Sequence, residues 1–387
     1  MSFTETTTTS WLSRLKNAAT GALVGLVVIV VAIGVLFWNE GRSIKAYRAL
    51  VEGAGLVVSV GAAAVDSANE GKLVHITGAV MPDGTPGDED FGIFAEGAVA
   101  RDREVEMYQW VENSESNSET KLGGSEETVT TYTYKKEWRS GHEDSSEFRQ
   151  PEGHENPAPV VGSHRFRIDS ARVGAFSVPG YEVADLAYET AVKLNAEDAE
   201  RAGAVLGAMV HLERDGLYAG ANPVSPEVGD LRIRFNRADL AEASFVGVQI
   251  GERLATYTAS NGREIFLGAA GTESAAAMFA TAQQENTLIT WLVRLGGLVG
   301  LLVGFLMLFS IFGVLADVLP FFGSIVRLGT GLTAVILTAL IGPLVIAIGW
   351  FAYRPVLAVT ILLGGALTAG AVIWMRRGRA PQPEAAG

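Results

Sequence analysis

Four stretches of this chain, at about 18–38, 291–316, 327–352 and 355–375, carry almost no charge, and each is long enough to cross a bilayer. Water-soluble cores do not need uninterrupted apolar runs of that length, so the 387-residue chain reads as an integral membrane protein. The rest has the opposite character. Residues 39–290 hold 22 Lys and Arg against 40 Asp and Glu, a net charge of −18, whereas the remainder is +5. A duplex-binding protein needs a basic face, so the acidic segment argues against nucleic acid. It also argues against polybasic adhesion to anionic headgroups. The chain has no Cys, which excludes disulfides, thiolate zinc sites, iron–sulfur clusters and a Cys nucleophile.

The flanking charges suggest an orientation. Arg14 and Lys16 precede the first span, and Arg376, Arg377 and Arg379 follow the last. With four spans both ends share a side, the side that basic residues mark as cytoplasmic. The expected order is a cytoplasmic N-terminus at 1–17, a first helix at 18–38 and an extracytoplasmic domain at 39–290. Helices at 291–316, 327–352 and 355–375 and a cytoplasmic tail at 376–387 complete it. The first span ends in Asn39-Glu40-Gly41-Arg42 rather than a small-residue cleavage site, so it reads as an uncleaved anchor. Arg294 and Asp317 sit near opposite ends of the second span, within reach of headgroups. Gly296, Gly300 and Gly304 recur every four residues, and Gly21 and Gly25 form another such pair. Both sets are candidates for close helix packing. Pro343 falls inside the third span and is expected to bend it.

The polar segment reads mainly as β-structure. Residues 104–112 and 129–138 alternate in the manner of strands, and the Ser/Glu/Gly-rich stretch between them predicts a long hairpin with a mobile acidic tip. Tyr108, Trp110, Tyr132 and Tyr134 lie on those strands as cross-strand aromatic partners, and they are candidates for a self-association edge. A helix is expected over 196–206, with strands at 230–235, 244–250 and 264–267. A further helix is expected to run from about Thr272 into the second span. Gly71–Ile76 and Gly229–Arg234 open alike, a faint sign of two similar β-units. The expected fold class is thus membrane α-helical with four spans, plus a large β-rich α+β extramembrane domain.

No chemistry stands out. His142, His154 and His164 are spaced unlike any zinc pattern, and hydrolase, metalloprotease and phosphate-loop motifs are missing. Tyr108, Trp110, Trp138 and Arg139 are compatible with a pocket, but an Arg stacked on a core Trp is the better reading. The expectation is no catalytic residue, no metal and no cofactor.

Several segments resemble one known family. They are Asn39–Arg42, Asn69–Ile76, Val105–Glu112, Glu137–Ser140, His154–Pro157, Glu227–Arg232, and Gly349-Trp350 followed by Tyr353-Arg354-Pro355. In this order along nearly the whole chain they resemble the transmembrane protein 43 (Luma) family. The resemblance implies one span, a large lumenal or extracytoplasmic domain, then three clustered spans. For animal members it implies self-association and a nuclear-envelope scaffold role with emerin and lamins, partners for which this chain carries no matching motif. The Ala/Gly-rich composition suggests a bacterial member, and hence an inner membrane with a periplasmic domain. The expected function is a non-enzymatic, homo-oligomeric scaffold acting on membrane lipid and other membrane proteins. The alternative is an envelope lipid-handling protein or enzyme.

Overall fold

The computed structural model describes residues 2–354 together with Thr360, Leu363 and Leu367. The expected span at 355–375 and the tail at 376–387 lie outside the described residues, apart from those three positions. The chain divides into two units. One comprises residues 1–9, 48–119 and 126–284, and the other comprises 10–47, 120–125 and 285–387.

The first unit is the β-domain, and its two halves differ in architecture. Strand Leu73–Asp83 pairs with Ser170–Val173, which pairs with Phe176–Pro179. That strand meets Arg253–Ala255, which meets Glu242–Ile250, and this last strand returns to Leu73–Asp83. The ring closes as a five-stranded barrel, filled by Val74, Ile76, Val80, Val173, Phe176, Val178, Phe245 and Leu254. The alternation Val74, Ile76, Val80 sends those side chains inward. Leu73 and Val246 project into a second cluster with Ala49, Leu50, Met278 and Phe279.

The other half is an open eight-stranded sheet. Its main path runs Ser2–Thr9, Glu126–Arg139, Ala100–Thr120, Leu231–Asp239, Gly216–Ala219 and Val210–Glu213. Leu231, Ile233 and Phe235 alternate with Arg232 and Arg234, so a single strand has an apolar and a basic face. The apolar face packs against the helix Ala196–Leu206 through Ala199 and Ala202. Asn195 caps that helix in a reciprocal box with Asp198, and Gly207 ends it in the left-handed conformation. Gly71–Ile76 therefore opens a barrel strand and Gly229–Arg234 an open-sheet strand. The two segments do not head similar β-units.

The hairpin is also more ordered than expected. Its strands extend to Thr120 and resume at Glu126, leaving only Lys121–Ser125 as the turn. Hydroxyl pairs explain the extension: Ser116 meets Thr130 at 2.9 Å, and Ser118 meets Thr128 at 2.8 Å. A third strand was not foreseen. Ser2–Thr9, rich in the β-favouring Thr, pairs antiparallel with Glu126–Thr133 and brings Thr4 opposite Thr131. Because the natural chain has no Cys, replacing Thr4 and Thr131 by cysteine is a clean test of this pairing. Mild oxidation is expected to join them, within one copy or between two, as seen on non-reducing gels. A pair that stays reduced would show that the strands do not meet.

The second unit is a bundle of three membrane-length helices. The first helix is Trp11–Leu56, the second Ala275–Ala316 and the third Pro320–Tyr353, with the terminal turns of the first two assigned to the β-domain. The first helix does not end at Trp38, since no proline interrupts the chain before Leu56. The link between the second and third helices is shorter than expected, because Pro320 takes the first helical position, where its missing N–H costs nothing. Pro343 is accommodated within one continuous helix. Ile29, Ala32, Leu36, Leu301, Phe305, Ala334 and Val345 form the contact core of the bundle.

Candidate functional site

The two ends of the bundle are polar, and at each a buried carboxylate is held by arginine. At one end Glu40, almost fully buried, accepts two parallel bonds from Arg294, with Nε and Nη2 each 2.8 Å from a carboxylate oxygen. Asn39, fully buried, donates to the Thr290 carbonyl at 3.1 Å. Arg42 donates to the side chains of Asn39, Asn286 and Thr290 at 3.1–3.3 Å. Asn286 donates in turn to the Ser43 carbonyl. Asn286, Thr290 and Arg294 recur every fourth residue, so one helix face presents all three to the Asn39–Ser43 segment. Two glycines admit the third helix. A Cβ on Gly41 would run into the Tyr353 ring, and one on Gly349 would lie 3.0 Å from Glu40 Cγ.

At the other end Asp317, fully buried, accepts from Arg14 Nη2 at 2.7 Å and from Arg327 Nη1 at 2.7 Å on both oxygens. Trp11 Nε1 donates to the Val314 carbonyl at 2.9 Å. The hairpin turn belongs to this unit. Gly123 N–H donates to Val318 O at 3.2 Å, and Arg14 Nη1 donates to Gly124 O at 2.6 Å. Arg294 and Asp317 therefore do not reach out to headgroups, because a carboxylate or guanidinium on a neighbouring helix holds each of them. Along the first helix Arg14 and Glu40 are 26 residues apart, about 39 Å of helical rise, which fits an apolar slab with polar clamps at both faces.

The glycine candidates separate into two groups. A Cβ on Gly25 would lie 2.7 Å from Gly304 O, and one on Gly304 would lie 2.6 Å from Ile29 Cγ1. These two mark a backbone-to-backbone crossing of the first two helices. A Cβ on Gly300 would lie 3.3 Å from Ala32 Cβ, closer than an ordinary contact, so its neighbour would have to give slightly. Among the described residues Gly21 and Gly296 meet nothing within 4 Å, so neither packs against another described helix. The four-residue repeat drifts around a 3.6-residue helix, and Gly297 stands against Leu36 instead of Gly296.

Within the β-domain the four aromatic candidates are internal contacts rather than a free edge. Tyr134 is buried and stacked on His154 at 3.9 Å between centroids, and Trp110 meets the same imidazole edge-on at 4.7 Å. Tyr108 packs on Trp138, over which Arg232 lies at 4.1 Å. Tyr132 rests near Phe3 of the N-terminal strand. The strand carrying Tyr132 and Tyr134 is not an edge along Glu126–Thr133, because Ser2–Thr9 occupies it. Loop 141–157 is pinned over this cluster. Asn156 brackets the Trp110 backbone, accepting from N–H at 2.8 Å and donating to the carbonyl at 2.9 Å, while buried Gln109 bonds to Gly141 and Glu143. His154, Glu155, Arg139 and Trp138 do not converge on a pocket. Glu155 is exposed and caps Gly153 N–H, and Arg139 pairs with Glu137 at the surface. A small cavity of about 140 Å³ lies beside Arg139 and His142, with Val105, Met107 and Val161 among its lining. Among the described residues no three His, Asp or Glu side chains converge as metal ligands.

Tyr134 gives this cluster an alkaline signature. Its hydroxyl donates to Glu112 Oε2 at 2.6 Å and accepts from Gln150 N–H at 3.0 Å. Burial, and then the Glu112 bond, push the phenol up to about 12. Folding thus favours the protonated phenol. Its contribution is complete below about pH 10 and declines as pH rises toward 12. Tyr134→Phe is expected to cost about 1.5–3 kcal/mol at neutral pH and to remove that alkaline decline, read by denaturant unfolding at stepped pH.

Helices of membrane length joined to a barrel-and-sheet domain define an integral membrane protein with one large polar domain. The transmembrane protein 43 family model matches residues 107–355, and the chain belongs to that family. Transmembrane protein 43 of Rattus norvegicus is 34% identical over 363 residues, covering 90% of this chain and 88% of the relative. The Homo sapiens protein is 32% identical, covering 91% and 89%. The Drosophila melanogaster homolog is 31% identical, covering 92% and 94%. No solved structure matches the chain.

Proposed function

We propose that this protein is a self-associating membrane scaffold that acts without catalytic turnover, organising lipid and neighbouring membrane proteins through its β-domain. The observation that carries this reading is the pairing of Ser2–Thr9 with Glu126–Thr133. In the proposed orientation, set by the basic flanks, the N-terminus is cytoplasmic and the domain extracytoplasmic, periplasmic in a bacterial inner membrane.

The N-terminal strand also ends its sheet, so its outer backbone edge suits a strand from a neighbouring copy. This edge replaces the one expected at Tyr108, Trp110, Tyr132 and Tyr134. Confinement to a layer raises effective concentration, so modest edge contacts suffice for assembly. Removing residues 2–9 tests the reading. The truncated chain is expected to lose assembly size in lipid nanodiscs while retaining the folded β-domain. A truncated chain that assembles like the full one would exclude the edge.

A further inference from the structure

We propose that the Asp317 end of the bundle holds the phosphate headgroup of an anionic phospholipid, with Arg327 as its principal ligand. Two cations, Arg14 and Arg327, share the one carboxylate of Asp317, so the trio carries a net positive charge. The Arg327 stem is seated on Gly313, where a Cβ would lie 2.8 Å from its Cγ. Its Nη1 is spent on both oxygens of Asp317. Nearly half of the side chain (46%) nevertheless remains exposed. A guanidinium anchored through one nitrogen has its other N–H groups oriented in advance, in the planar fork that suits a phosphate.

The surroundings select an amphiphile over a free anion. Phe321, Ile325 and Leu328 on the same helix are exposed, at 72%, 52% and 77%, as is Leu12 at 69% on the first helix. A half-exposed cation bordered by exposed apolar side chains matches a charged headgroup with acyl chains below it. At an interface basic side chains attract anionic lipid, whereas a zwitterionic headgroup offers no net charge. Asp317 is the positioning residue in this arrangement, since it holds Arg327 and Arg14 together without itself facing the lipid. This inference stands apart from the scaffold reading, because it holds for a monomer as well as for an assembly.

The test uses the full chain in nanodiscs of phosphatidylcholine alone or mixed with phosphatidylglycerol, with retained lipid counted by native mass spectrometry after stepwise delipidation. Retention of phosphatidylglycerol over phosphatidylcholine by about fivefold is expected, the equivalent of the ~1 kcal/mol that one Lys or Arg contributes at an anionic surface. Arg327→Gln should abolish the preference, and Lys72→Gln, in the β-domain, should leave it unchanged. If Arg327→Gln fails to fold, the wild-type chain still decides. Equal retention of the two lipids would overturn the proposal, and so would displacement of phosphatidylglycerol by inorganic phosphate, which would identify a free-anion site.

Discussion

Glu40→Ala is expected to destabilise the helix unit more than any other single substitution in the chain. The change leaves the Arg294 guanidinium without the carboxylate that accepts both of its parallel bonds, at a position where Glu40 is 2% exposed. Removing one partner of a buried pair costs on the order of 3–5 kcal/mol, because the remaining charge keeps its desolvation penalty. Replacing both partners by apolar residues, Glu40→Leu with Arg294→Met, should recover much of that loss, since the pair itself need not add net stability. A double-mutant cycle measured by unfolding in detergent reads the coupling directly. Additive single and double losses would mean that the two side chains do not act as a pair.

The second large effect is expected at the crossing of the first two helices. Gly304→Leu places a side chain where even a Cβ lies 2.6 Å from Ile29 and 3.0 Å from the Gly25 carbonyl. Since both neighbours belong to helix backbone or to a β-branched stem, the helices must separate. The expected loss is about 1–3 kcal/mol of stability, the usual cost of overpacking. Among the described residues Gly21→Leu and Gly296→Leu meet open space, and they should stay within about 0.5 kcal/mol of the parent. The three variants form one series, read by thermal unfolding in one detergent. Equal losses at all three sites would show that glycine content, not this crossing, governs the bundle.

That series also shows what the sequence could and could not reveal. Composition alone located the three membrane-length helices among the described residues, because an uninterrupted apolar run has few other uses. The alternation in 104–112 and 129–138 located the hairpin for the same reason. Which glycines touch another helix was not legible, since a four-residue repeat does not fix the face that turns inward. The polar clamp was partly legible. Asn286, Thr290 and Arg294 at four-residue spacing, opposite Asn39-Glu40-Gly41-Arg42, carry a helical signal, but pairing them requires knowing that the first two helices are neighbours. The N-terminal strand was hidden for another reason. Ser2–Thr9 lacks the apolar alternation that marks a half-buried strand, and hydroxyl-rich cross-strand contacts hold it. Arg294 and Asp317 were misjudged because a charge near a helix end suits headgroups and partners equally well until the neighbouring helix is placed.

Self-association is the central claim, and mass measurement of the purified chain at sub-micromolar concentration tests it most directly. In native-lipid nanodiscs the account predicts particles containing two or more copies, which dissociate toward single chains when residues 2–9 are removed. A single copy per particle, in native lipid and in detergent alike, would contradict it.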